Sequence, residues 1–284
     1  MGTKRHFQSF KVFLTATFPN PFLGTKPIYT TTISRASLLQ AYPHFGNVTV
    51  SGEPIGYSWY HSLQVRAEKR FSKGYTFTLA YTWSKSMDAT QFLNTSDPMP
   101  YESISSLDRT HRLVTSGIWE LPFGRGRKFG KGWHPLLNFF AGGWQLSGFM
   151  QRQSGPPLGF GNIIFNGNPD DINLPKSERS VDRWFNTDAG FNRNSKEQLA
   201  NNIRTYPLRF SGLQGDGQAR WDFTIIKNFK VHEKATMRFR AETFNAWNHP
   251  NLSTPNTSPT NTAFGRITSQ DPPRSWQMSL MLTF

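Results

Sequence analysis

Few of the charged and aromatic side chains that could do chemistry in this chain lie close together. Asp108, Arg109, His111 and Arg112 fall within five consecutive positions. Such a set can bind an anionic ligand, but at the start of a strand it more often hydrogen-bonds the chain into a sheet. His232 and Glu233 are metal-type ligands in a turn, with no further ligand beside them. Asp222, Arg238, Arg240 and Glu242 alternate with apolar residues, so they would project from one face of a sheet. Opposite charges there neutralise one another as cross-strand ladders; contact with a solute or a plug is the sharper reading. Arg125, Arg127, Lys128 and Lys131 form the tightest basic cluster, a solvated turn or a patch for phosphate or lipid. Trp184 and Phe185 sit in a long loop, as a short ordered turn or as a cap over a ligand. There is no zinc-protease helix motif, phosphate loop, nucleotide fingerprint or Gly-x-Ser-x-Gly elbow. The stretches Gly124-Arg125-Gly126 and Gly215-Asp216-Gly217 are turn chemistry. No catalytic residue, cofactor or metal is assigned, and an enzyme is not expected.

Composition narrows the class. Of the 284 residues, 36% are hydrophobic and 15% aromatic, and no run approaches the length a membrane helix needs. Barrel strands escape that test because every second residue faces water. There are no cysteines, which excludes disulfides and thiolate chemistry. The net charge of +14 suits nucleic acid, anionic lipid or an acidic ligand, but no dense basic run marks a nucleic-acid site. Residues 1–20 lack the order of a signal peptide. The chain is therefore expected to be cytosolic or the tail of a longer one.

The elements that must position these side chains read as strands. In Tyr75, Phe77, Leu79, Tyr81 and Trp83 against Thr76, Thr78, Ala80, Thr82 and Ser84 the alternation is strict. Before it, Leu63, Val65 and Ala67 oppose Gln64, Arg66, Glu68 and Arg70, and Ser72-Lys73-Gly74 reads as a three-residue hairpin loop. Further strands are expected at His111–Leu121, Ala141–Ser154, Gln218–Phe229, Ala235–Asn245 and Ser275–Phe284. Residues 1–56 read as a loop-rich region with short strands near Phe10–Leu14 and Val48–Val50; residues 57–284 form the second region. Residues 86–107, 155–215 and 246–274 read as long loops, and 122–138 as a turn of moderate length.

Two regularities favour a barrel wall. The connections alternate between shorter and longer, which in an antiparallel sheet gathers short turns at one end and long loops at the other, as in outer-membrane barrels. On three strands an apolar-face tryptophan at the long-loop end lies eight positions from a ring at the turn end: Trp83 and Tyr75, Trp221 and Phe229, Trp276 and Phe284. Eight steps span about 26 Å, or roughly 20 Å when tilted, close to the apolar band between two aromatic girdles. Trp59 and Phe71, twelve apart, do not fit. The expected fold is all-β, an antiparallel up-and-down transmembrane β-barrel segment of about seven long strands. Its alternatives are a soluble extracellular β-sandwich binding carbohydrate through aromatics, and a basic nucleic-acid binder. Both are less expected.

The end of the chain, WQMSLMLTF, resembles the signal read by the barrel-insertion machinery, with Met278, Leu280, Leu282 and Phe284 on one face. YPHFGNVTV, GYSWYHSLQVRAEKRFSKGYTFTLAYTWSKSMD, LDRTHRLVTSGIWELPFGRGRKFG, GGWQLSGFMQRQSG and FKVHEKATMRFRAETFNAWNHPN resemble, in the same order, the C-terminal barrel half of TonB-dependent outer-membrane receptors of the Oar-like type. That resemblance implies a barrel of 22 strands with an N-terminal plug, preceded by a carboxypeptidase-regulatory-like domain and energised by an inner-membrane TonB complex. Those parts are missing here, so a fragment is expected, with TonB reached only through the missing part. The implied surroundings are outer-membrane lipid and lipopolysaccharide, with the C-terminus periplasmic.

Overall fold

The alternating stretch after Tyr57 forms a long hairpin, β3 (Tyr57–Ser72) and β4 (Tyr75–Ala89), in the computed structural model. The structure describes residues 12–24, 30–44, 52, 54–198, 203–232 and 235–284. The turn is tighter than the sequence suggests: Ser72 pairs with Tyr75, and only Lys73 (φ 54°) and Gly74 (φ 86°) lie between. Two consecutive positive φ values match the twist of the flanking strands, and glycine takes the second without strain. Lys69 closes this end. Its ammonium donates to Ser72 Oγ at 2.9 Å and to the Ser72 carbonyl at 3.0 Å, and lies 3.6 Å from the centre of the Tyr75 ring. The register slips by one residue between Lys69 and Ser72. This bulge adds one residue to β3 and interrupts its alternation there; Trp59, opposite Met87, lies four residues beyond the level of Trp83.

Five more long strands follow: β6 (His111–Glu120), β7 (Trp144–Gln153), β8 (Gln218–His232), β9 (Ala235–Phe244) and β10 (Ser275–Thr283). A two-residue strand, β5 (Ser103–Ile104), pairs with the end of β4. The long strands form one antiparallel sheet in the order β10-β9-β8-β7-β6-β4-β3, each beside its neighbour in the chain. Among the described residues, β3 and β10 are each paired on one side only.

Several boundaries differ from expectation. β4 runs on to Ala89, and β5 lies inside what reads as the loop 86–107. Residues Pro135–Ala141 form a short helix, so β7 begins at Trp144 rather than Ala141. Pro135 suits its first turn, and the His134 side chain accepts from the Leu136 N–H. β8 continues to His232, which shortens the next turn. Glu233 lies outside the described residues, so the His232–Glu233 pair is not described.

Residues Met1–Pro54 form a separate compact unit. There β1 (Thr17–Pro19) pairs with β2 (Thr32–Ser34), and Ser34 caps the helix Arg35–Leu38 by accepting from Ser37 N–H. The strand expected near Phe10–Leu14 is not formed: residues 12–15 are helical. The strand expected at Val48–Val50 lies outside the described residues.

The buried core of the Ile55–Phe284 unit is not behind the sheet. It lies in the long loops, where Phe160, Ile172, Phe185, Phe191, Phe210 and Phe264 pack together. Phe185 is 0% exposed, and the Phe160 ring lies 4.6–6.1 Å from those of Phe191, Phe185, Phe210 and Phe264. Tyr206 anchors this core. Its hydroxyl accepts from Ile163 N–H at 2.9 Å and donates toward the carbonyls of Gly161 and Ile163. Burial pushes its phenol pKa upward, against the lowering effect of the Arg204 charge. The loop 155–215 stays ordered because four of its phenylalanine rings, joined by Phe264 from the loop 246–274, form a core there.

Candidate functional site: the two faces of the sheet

Directly opposed residues on paired strands share a face, so the register assigns every side chain. One face is polar. Glu242 lies beside Thr224 and Gln277; Arg240 beside Ser279; Arg238 beside Asn228. Asp222 falls in the row of Thr78, Ser116 and Phe149. All four charged residues expected on one face are there. They do not neutralise one another across strands. Each acid pairs with an arginine two residues away on its own strand: Asp222 with Arg220 at 2.7 Å, Glu242 with Arg240 at 2.6 Å. Arg238 donates to Asn228 at 2.9 Å. Asp222 also accepts from the Asn245 N–H at 3.0 Å, which ties down the chain leaving β9.

The other face is apolar, and no described strand layer packs on it. Phe77 is 41% exposed, Phe223 39% and Leu280 65%. In one row across it lie Tyr75, Trp119, Leu146, Ile225, Ala241 and Met278. One row nearer the long loops lie Phe77, Gly117, Gly148, Phe223, Thr243 and Trp276. The Gly117–Gly148 pair leaves a shallow apolar notch there, walled by Phe77, Phe223, Trp119 and Met150.

Counted from the row of Tyr75, Trp83 lies four rows toward the long loops, Trp221 two and Trp276 one. The ring line therefore descends three rows over the five strand steps from β4 to β10. Three rows are six residues, about 20 Å of strand, and five steps are about 24 Å across the sheet. The line crosses the sheet at about 40°. Tyr75, Phe229 and Phe284 trace a parallel line at the turn end. Trp119 and Trp144, which sequence spacing missed, fall on that lower line too. Only the register shows this, because the two tryptophans have no partner eight positions away. Trp83 and Trp276 are more than half exposed; Trp221 is half-buried beside His249, and Phe229 beside Phe139. Lys227, also on this face, is buried; its ammonium donates to the Gly142 carbonyl and lies over the rings of Trp144 and Phe229.

At the long-loop end, the charged group at the start of β6 is a strand entry. Asp108, 1% exposed, accepts from Ser86 N–H at 2.6 Å; Arg109 donates to the carbonyls of Ser106 and Asp108. Burial lowers the Arg109 pKa, and Asp108 opposes that. His111 Nδ1 shares a 2.8 Å hydrogen bond with the Tyr81 hydroxyl. Phe185 is unavailable to cap a ligand because it is fully buried, whereas Trp184 borders a cleft of about 670 Å³. Arg127 of the basic turn is paired with Glu120 at 2.7 Å. Among the described residues no group of three His, Cys, Asp or Glu side chains is placed to hold a metal.

Residues 8–277 match the family model of an outer membrane beta barrel domain. The chain belongs to that family, and its all-β antiparallel sheet is an outer-membrane barrel wall. Comparison with curated proteins and with solved structures found no significant match.

Proposed function

We propose that this chain forms part of the wall of a TonB-dependent outer-membrane receptor of the Oar-like type, which moves a solute across the outer membrane without itself catalysing a reaction. In this reading the apolar face touches lipid and the polar face, with Asp222, Arg238, Arg240 and Glu242, lines the lumen. Met278, Leu280, Leu282 and Phe284 present the insertion signal, and the C-terminus is periplasmic. The plug and the TonB-contacting segment belong to other parts of the receptor. The observation that carries the membrane side of this reading is the diagonal course of the two ring lines. A membrane boundary crosses tilted strands obliquely, and the roughly 40° found here is the tilt of transmembrane barrel strands. Aromatic rings favour such a boundary, where one edge is wet and the other apolar. A soluble sandwich would need a second layer over Phe77, Phe223 and Leu280, and none covers them among the described residues.

The TonB side rests on the ordered resemblance of sequence segments. Its test is energy dependence. Bacteria carrying or lacking the gene are compared for uptake of a panel of large solutes, with and without a protonophore. Gene-dependent uptake that stops when the proton gradient collapses supports the receptor. Gene-dependent uptake that survives collapse identifies a passive pore and rules out energised transport.

A further inference from the structure

The cleft beside Trp184 lies where the folded long loop meets the apolar face, and its walls come from both. From the sheet come Tyr81, His111, Leu113, Arg152 and Ala219, all on the apolar face by register. From the loops come Lys176, Arg179, Trp184 and His249. Three permanent cations, Arg152, Lys176 and Arg179, face one carboxylate, Asp216.

These cations are not used up by the fold. The side chains of Arg152 and Lys176 are exposed and have no hydrogen-bond or ion-pair partner among the described residues. Arg179 is held in place, donating to the Leu174 carbonyl at 2.9 Å and to Asn173 Oδ1 at 2.6 Å, with no acid against it. Trp184 is fixed by a 2.7 Å bond from its indole N–H to the Gln214 carbonyl. An arginine on a lipid-facing surface is costly within hydrocarbon. Arg152, however, lies one row from His111 and one from Trp221, on the upper ring line, where hydrocarbon gives way to headgroups. A cation at that depth meets lipid phosphate.

We infer that this cleft binds the phosphate of an acylated, phosphorylated glycolipid of the outer leaflet, whose acyl chains run down the apolar face below it. The inference rests on the reading that this face touches lipid and that the long loops lie outside. The apolar surface directly under the cleft, Leu79, Met150 and Phe223, supplies the contact for the chains. A free phosphate ion would use the cations but not that surface.

The test uses the protein purified from outer membranes in detergent. Three probes are compared: a bisphosphorylated hexa-acyl glucosamine disaccharide, the same lipid without phosphates, and inorganic phosphate. The phosphorylated lipid is expected to bind about tenfold or more tightly than the dephosphorylated one, from two or three cations at an interface. The double variant Arg152→Gln, Lys176→Gln alters exposed, unpartnered side chains; it should abolish that preference and leave the dephosphorylated lipid unaffected. Equal binding of the two lipids, or an unchanged preference in the variant, overturns the inference. Competition by inorganic phosphate as tight as the lipid's own binding overturns it in favour of a free-anion site. A parallel measurement, quenching of tryptophan fluorescence by brominated acyl chains, separates the two levels. Quenching without phosphate preference removes the cleft proposal alone; absence of quenching removes the lipid-facing reading beneath it.

Discussion

Phe160 and Phe223 are the same residue solved in two ways. Phe160, in the long loop, is 2% exposed and surrounded by other phenylalanines. Phe223, on β8, is 39% exposed on a face that no strand layer covers among the described residues. Fully burying such a ring is worth about 1.5–3 kcal/mol. The loop obtains that stabilisation from its own chain. On the reading proposed above, the sheet leaves its rings for the bilayer to cover. A long loop on a barrel is thus the part that needs a core like that of a soluble protein, while the wall does without one.

Four measurements sharpen or break this contrast. Phe160→Ala removes the ring at the centre of the loop core and should cost that region about 3–5 kcal/mol. Limited proteolysis should then cut between residues 155 and 215, while the sheet keeps its heat-sensitive gel mobility. Joint loss of both would show that loop and wall fold as one. Next comes Leu79→Arg, midway between the Tyr75 and Trp83 rows. At the middle of a bilayer it should cost about 2–4 kcal/mol in urea unfolding from vesicles. An unchanged midpoint would mean that the face meets water.

Tyr206→Phe should cost about 1–3 kcal/mol, since it removes the buried hydroxyl that accepts from the Ile163 N–H and donates toward the Gly161 and Ile163 carbonyls. It also has a pH signature. A raised phenol pKa contributes stability that is present below the ordinary value of 10.0 and lost as pH rises through the raised one. Protease resistance of the loop should therefore fall at alkaline pH in the native protein, and this component should disappear in the variant. Arg240→Gln should change stability by less than about 1 kcal/mol, because the Arg240 side chain of its pair with Glu242 is 48% exposed and keeps much of its hydration. A larger loss would place that pair in a drier setting than a lumen.

The contrast also explains what could be read in advance. β4 was legible residue by residue because Tyr75 to Trp83 alternate without a break, and a period of two fixes both strand and face. β10 was legible for the same reason. The loop core was not, because Phe160, Phe185, Phe191, Phe210 and Phe264 follow no period; their meeting is set by tertiary packing. β5 carries only Ser103 and Ile104, too few residues for any pattern, and depends on Met87 and Asp88 for its pairing. The helix Pro135–Ala141 is hidden among glycines, although His134-Pro135 is a plausible start for one. The oblique ring lines needed the register, since spacing within one strand carries no information about stagger between strands.

Seven is an odd number, and that has a geometric consequence for the two margins left unpaired among the described residues. Consecutive antiparallel neighbours reverse direction at each step, so β3 and β10 point the same way. Rolling this sheet until its margins meet would place two co-directional strands side by side, as would joining the margin of one molecule to that of another. Any ring that keeps every neighbour antiparallel must place an odd number of additional strands between β10 and β3. A 22-strand ring satisfies this parity, because fifteen remain.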